Sequence, residues 1–267
     1  MLLDIFYFYK IIKDIKYSKT KVINKLKKIC NKKKINNKNL FQLYIEIQDH
    51  IVCLYFDITP YEKTNISIYL SCDDIKNNSG IDIVSSFDIN FKKNIADDNY
   101  ITKYKSTKNN KYIKRHGLFN IHFILILCRI FGVSKYIIND GSNIWYYNFI
   151  KYRKSYYERV GFVPLYKTKY NNAIKIINNL SVKEYKNLYY KKYKKYPKNI
   201  SKLKKNKFIN SLENLSNSNK EIFLSSLFMN LKLFSIGSLT ELQYKFNKNK
   251  VYSKKYFDNY DMQYIEK

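Results

Sequence analysis

Arg115–Tyr166 reads RHGLFNIHFILILCRIFGVSKYIINDGSNIWYYNFIKYRKSYYERVGFVPLY, and several local signals agree within it. Gly117 opens an apolar segment, Leu118–Phe131, and Gly132 closes it. A β-branched run, Val133–Ile138, ends in the turn-forming Asn139-Asp140-Gly141. Asn143–Tyr156 has the character of a helix, with Asp140 or Ser142 as its N-cap and Trp145 and Phe149 on one face at i, i+4. Tyr156-Tyr157-Glu158-Arg159-Val160-Gly161-Phe162 then leads into a last extended piece. The order is loop, buried helix, strand, helix, strand.

Upstream, Leu40–Leu70 reads as β. Phe41–Ile47 alternates apolar and polar, Ile51–Phe56 is a continuous apolar run of the kind a central strand shows, and Ile66–Leu70 is a third strand. Asp49-His50 and Pro60-Tyr61-Glu62 supply turns, so the strands are expected to form an antiparallel meander. After the turn Asn77–Gly80, Ile81–Phe91 alternates again, with Ile83, Phe87 and Ile89 on one face and Ser86, Asp88 and Asn90 on the other. Lys92–Lys114 reads as a polar loop with a short strand at Tyr100–Tyr104. Leu2–Ile15 is apolar and aromatic and fits helix or strand. Lys19–Lys34 predicts a basic amphipathic helix, and Asn31–Asn39 a polar linker. Downstream, Ser181-x-x-Glu184, Ser218-x-x-Glu221 and Ser238-x-x-Glu241 predict three helix starts, with Pro197 ending the first helix and Gly237 separating the last two.

With 267 residues, 45% hydrophobic and 17% aromatic, the chain can bury a sizeable core. Its net charge of +29 points to a polyanionic partner, nucleic acid or an anionic membrane. Yet only Arg115, Arg129, Arg153 and Arg159 are arginines among 50 basic residues, leaving 46 lysines. Lys, Asn, Ile and Tyr are the residues of AT-rich codons, which implies an AT-rich genome such as that of a large DNA virus or an AT-rich unicellular organism. A codon-biased, solvated surface therefore accounts for most of the charge. Cys30, Cys53, Cys72 and Cys128 have no C-x-x-C spacing and no pattern with His50, His116 or His122, so no zinc site is expected, and buried free thiols are. Asp4 and the absence of a basic residue before the first apolar stretch speak against a signal peptide. The longest apolar run is interrupted by Asn120, His122 and Arg129, so no transmembrane segment is expected, and the protein reads as soluble and intracellular.

The order of elements and Tyr156–Phe162 resemble the GNAT family of acyl-CoA-dependent N-acetyltransferases, which often close their core with Phe-Tyr-Glu-Lys-x-Gly-Phe. The resemblance covers Lys114 to about Tyr166. It implies an α+β fold, a mixed, mostly antiparallel sheet flanked by helices, here followed by a helical C-terminal extension. It further implies acetyl-CoA as cosubstrate and a primary amine as acceptor. In such a fold the pyrophosphate sits on a helix N-terminus, where free N–H groups and the helix dipole favour an anion. The family pattern there is Arg/Gln-x-x-Gly-x-Gly/Ala, and Lys114-Arg115-His116-Gly117-Leu118-Phe119 aligns with it, Gly117 matching and Phe119 standing in place of Gly or Ala. These six are the expected cofactor-binding residues, with His116 placed to touch phosphate. Tyr157 matches the family tyrosine that protonates the departing thiolate, a role suited to a phenol with a pKa of about 10. Asp88 and Glu46 are the candidates for a general base, and His122 reads as a core residue.

The implied domains are a basic helical arm over 1–38, a GNAT-like domain over 39–166 and a helical extension over 167–267. Two other functions fit the same residues. One is a GNAT-shaped scaffold without catalysis. The other is a basic module contacting nucleic acid through Lys19–Lys34 and through Tyr189–Tyr196, YYKKYKKY, which interleaves rings and lysines.

Overall fold

A computed structural model describes residues 2–15, 18–35, 38–47, 50–59, 64–71, 83–101, 116–140, 145–179, 183–184, 187, 240–246 and 253–254. They form a mixed α/β structure with a mostly antiparallel, open sheet. The chain divides into two units, one of Met1–Ile137 with Lys245–Lys267, the other of Ile138–Tyr244.

In the first unit, β1 (Leu2–Asp4) runs straight into α1 (Ile5–Ile12). Asp4 is the cap, its Oδ1 accepting from the N–H groups of Phe6 at 2.9 Å and Tyr7 at 3.1 Å. Ser18 caps α2 (Lys19–Ile29) in the same way. The expected helix stops at Ile29, five residues short of Lys34, and the expected linker is a strand, β2 (Asn31–Ile35), antiparallel to β3 (Lys38–Ile47). Asn31–Lys34 are exposed on both sides, so this strand carries no apolar alternation to betray it; its backbone pairing and the packing of Ile35 against Leu40, Cys53 and Tyr55 hold it.

β3, β4 (His50–Asp57), β5 (Asn65–Ser71), β6 (Ile83–Asn90) and β7 (Ile95–Ile101) form the antiparallel meander, each pairing with the next. β1 adds to β3 in parallel. β7 begins at Ile95, well before the strand expected at Tyr100–Tyr104. Ile95 and Ala96 alone carry its apolar signal before Asp97-Asp98-Asn99, which reads as loop. A turn at Phe91–Asn94 precedes it, Asn90 Oδ1 accepting from Lys93 N–H at 2.8 Å and Asn94 standing at φ 56°. The predicted turns at Pro60–Glu62 and Asn77–Gly80 lie outside the described residues, as does Asp49 of the third.

α3 (His116–Phe131) follows β7, and β8 (Lys135–Asn139) returns parallel to β7. The two ends of α3 were readable: Gly132 takes φ 71°, as a helix-terminating glycine does. One sheet face is apolar, Leu43, Leu54 and Leu70 standing in one register row. On it Phe8 of α1, Phe56 of β4 and Phe131 of α3 meet with ring centroids 6.1–6.4 Å apart, and all three are buried.

In the second unit, α4 (Trp145–Tyr152) ends four residues before the expected Tyr156, because Arg153 turns left-handed at φ 59°. A 3-10 turn (Tyr157–Val160), β9 (Val163–Pro164) and α5 (Lys167–Asn179) follow. Helix thus begins before Ser181, which lies outside the described residues, although Lys183 and Glu184 are helical. Ser218–Glu221, Tyr189–Tyr196, Pro197 and Gly237 also lie outside them. Glu241–Lys245, expected to continue a helix from Ser238, is instead a strand, β10, antiparallel to β9. The extension after Tyr166 is therefore not purely helical: Leu242, fully buried between polar neighbours, gives β10 a strand's period, and pairing overrides the local helix-start pattern. No helix among the described residues is long and apolar enough to cross a membrane.

Replacing Phe56 by alanine removes the ring shared by α1, β4 and α3. The expected loss is about 3–5 kcal/mol of stability, read as a fall in the urea midpoint with unchanged slope.

Candidate functional site

The β7–α3–β8 crossover sets the first candidate. Ser134, just past α3, hangs its N–H and its Oγ on the Asn94 carbonyl, at 2.9 and 2.7 Å. The C-terminal end of α3 therefore lies at the start of β7. A helix of 16 residues is about 24 Å long and a strand of seven about 23 Å, so the first turn of α3 comes level with the end of β7. That turn contains His116, Gly117, Leu118 and Phe119, four of the six residues expected to bind a cofactor; Lys114 and Arg115 lie outside the described residues. The first N–H groups of any helix lack intrahelical acceptors and carry its positive dipole end, so an anion fits here.

β7 is irregular midway along its length. β8 pairs with it through Ile95, Ala96 and Asp97 only, among the described residues, although β7 runs on to Ile101. On its other side β7 shifts register: Ser86 faces Tyr100 while Phe87 faces Asp98, so Asn99 is the extra residue of a bulge. A bulge and an ended ladder both interrupt the regular backbone pairing of a strand. Nothing in the spacing of Asp97-Asp98-Asn99 announced this.

The second sheet face is polar. Leu40, Asp57, Ser67, Asp88 and Asp97 stand in one register row across β3 to β7. Asp57 is buried and held by Thr59 N–H at 3.0 Å, Thr59 Oγ1 at 2.8 Å and Lys38 Nζ at 3.6 Å. Asp88 Oδ1 is buried without a hydrogen-bond partner and the residue stands opposite Asp97. Burial raises the Tyr69 hydroxyl's pKa; Lys38 opposes the rise, and Asp57 and Asp88 add to it. Glu46, the other expected base candidate, is exposed on β3 and registers with Asp4 of β1. His122 lies half-buried in α3. Burial pushes the Cys30 thiol up to about 12 and the Cys128 thiol up as well, so neither is a thiolate nucleophile at neutral pH.

In the second unit, the signature around Tyr157 is a tightly bonded turn. Ser155 Oγ accepts from Tyr157 N–H at 3.0 Å, and Glu158 Oε2 accepts from Ser155 N–H at 2.6 Å. This is a reciprocal pair of the capping-box kind, Ser155-x-x-Glu158, a pattern present in the sequence that begins just before the signature. Glu158 Oε2 also accepts from the buried Tyr170 hydroxyl of α5. Burial raises the Tyr170 pKa, and the bond to Glu158 and its charge raise it further. Tyr157 is half-buried, its ring edge-on to Tyr156 at 5.7 Å and Phe162 at 6.0 Å. Gly161 takes φ 96°, and a Cβ there would stand 3.1 Å from Tyr244 Cε2. Phe162 is buried, 5.5 Å from the Tyr244 ring. Gly161-Phe162 is thus a tight turn followed by a buried ring.

Gly161→Ala combines a left-handed backbone with a crowded Cβ, and should cost about 1–3 kcal/mol in chemical denaturation. Tyr170→Phe tests the buried bond to Glu158. Tyr170 stays protonated in the folded chain above the pH at which an unfolded tyrosine ionises, about 10, so folding stability falls as pH rises past that point. The variant should be about 1–2 kcal/mol less stable at neutral pH and show a shallower alkaline decline; an unchanged decline would remove Tyr170 as its source.

No family model matches the chain, and neither does any curated protein or solved structure.

Proposed function

We propose that the chain is a GNAT-type N-acetyltransferase that moves an acetyl group from acetyl-CoA to a primary amine. One observation carries the reading: in an otherwise antiparallel meander, the parallel partner β8 pairs with β7 only as far as Asp97 among the described residues, next to a bulge at Asn99, on the strand that precedes α3. An open strand edge offers backbone groups to the amide-bearing arm of coenzyme A, as an added strand would use them. The helix start at Gly117 offers N–H groups to its pyrophosphate. The resemblance gives Tyr157 the acid's role: the amine nitrogen attacks the thioester carbonyl, the carbon–sulfur bond breaks, the phenol protonates the thiolate, and the surplus proton on nitrogen passes to solvent, which reprotonates the phenolate. Lys114, Arg115 and His116 add positive or donor groups before Gly117.

A scaffold of the same shape without catalysis is the second reading. Phe119, in the position the family gives to Gly or Ala, favours it, since a ring can keep backbone and phosphate apart.

Calorimetric titration with acetyl-CoA, with ATP as anion control, separates the two. The expected result is saturable binding of acetyl-CoA and not of ATP, weakened at least tenfold (about 1.4 kcal/mol) in a Gly117→Trp variant with an unchanged melting temperature. Tyr157→Phe should then keep that affinity and lower turnover about 10²-fold or more. No binding, or equal binding of both nucleotides, sinks the acetyltransferase.

A further inference from the structure

We propose that α2 and β2 form a docking surface for the phosphate backbone of nucleic acid, bound without regard to base sequence. Residues 19–38 contain nine lysines and no acid, against 46 lysines in 267 residues overall, so codon bias alone does not explain the local density. The fold converts that density into a surface. Val22 and Leu26 are fully buried, which turns the rest of α2 outward. Lys21, Lys25 and Lys28, all exposed, fall at i, i+4 and i+7 and form one row, with steps of about 6 and 4.5 Å along the axis.

β2 extends the row. Its register sets Lys32 opposite Phe41 and Lys34 opposite Asn39. Phe41 registers with Phe56, so Lys32 and Lys34 lie on the sheet face where α1 packs, and α2 touches both α1 and β3. Among the described residues the lysines from Lys21 to Lys34 make no ion pair; the ion pair in this segment, Lys38 to Asp57, uses the last lysine of the nine. A set of unpaired ammonium groups on a helix and the adjoining strand is a site for a polyanion, and ammonium groups bind phosphates as point charges.

The remaining features select the partner. An amphipathic helix binds a bilayer through an exposed apolar face, and the apolar face of α2 is already buried in the core. Protein hot spots are built on aromatic and arginine anchors, and 19–38 has neither. Lysines on β2 also guard an open sheet edge, but that purpose does not call for the row on α2.

The test is fluorescence anisotropy of the full chain with a labelled mixed-sequence DNA duplex, from about 50 to 200 mM salt. Binding should weaken linearly on a log–log plot. The variant Lys21→Gln/Lys25→Gln/Lys28→Gln should reduce the slope by about 2.7, at about 0.9 per phosphate contact, and weaken binding at least tenfold at the lower salt. The control Lys92→Gln/Lys93→Gln/Lys175→Gln removes the same charge from exposed positions elsewhere and should leave both quantities nearly unchanged. Far-UV dichroism verifies that both variants fold. No binding at low salt overturns the proposal, as does an equal loss in both variants, which would mean diffuse charge. Row-dependent binding to phosphatidylserine vesicles in the absence of DNA binding also overturns it.

Discussion

Phe131, the last residue of α3, is wedged between Phe8 of α1 and Phe56 of β4, and much of the first unit depends on that wedge. The rings fix one end of α3 on the apolar face of the sheet. Gly132 then reverses the chain, and Ser134 ties it to Asn94. A helix is a stiff rod of known rise, so anchoring one end and one flank determines where its other end stands. The first turn of α3 is therefore positioned by the core. A site on that turn takes its rigidity from packed aromatics some 20 Å away, about the length of the helix.

The same sheet solves two different burial problems on its two faces. Apolar side chains need only fill space, but polar ones must be paired once water is gone. On the second face Gln42 Nε2 donates to Tyr44 and Tyr55 hydroxyls at 3.0 and 2.9 Å and to Cys53 Sγ at 3.3 Å. Asp57 is satisfied by Thr59 and Lys38. Such groups fix strand register, because a slip of one residue would bury aliphatic chains among them and strand the carboxylate among hydrocarbon. Asp88, half-buried with one oxygen lacking a partner and facing Asp97, is the place where this accounting stays open.

What could be read from sequence follows from which interactions are local. The meander, α3 and the turn at Gly161 announce themselves through apolar period and glycine placement, signals that neighbours in sequence carry. β2 could not be read, because an edge strand exposed on both sides has no period, and its lysines look like helix or linker. β7 hid its start behind Asp97-Asp98-Asn99, and the bulge there is a property of pairing with Ser86 and Phe87, not of the residues themselves. β10 carried a helix-start pattern and became a strand through partners about eighty residues earlier. For the site, Gly117 and its neighbours were legible as a helix start, while the short β7–β8 ladder was not, since it exists only between strands. The pattern Ser155-x-x-Glu158 was legible and overlapped the motif, masked by the stronger signal of Gly161-Phe162.

The closeness of Gly161 to Tyr244 has a consequence for how the protein is made. A ribosome adding about 5–20 residues per second delivers Tyr244 on the order of 4–17 s after Gly161. Until then the turn lacks the ring that packs on Phe162, and β9 lacks its partner β10. The first unit waits for the same short segment, since Phe246 donates its N–H to Ser134 and lies under the Arg129 guanidinium. Both units thus receive a finishing contact from Thr240–Phe246. During synthesis the nascent chain carries an incomplete sheet for seconds.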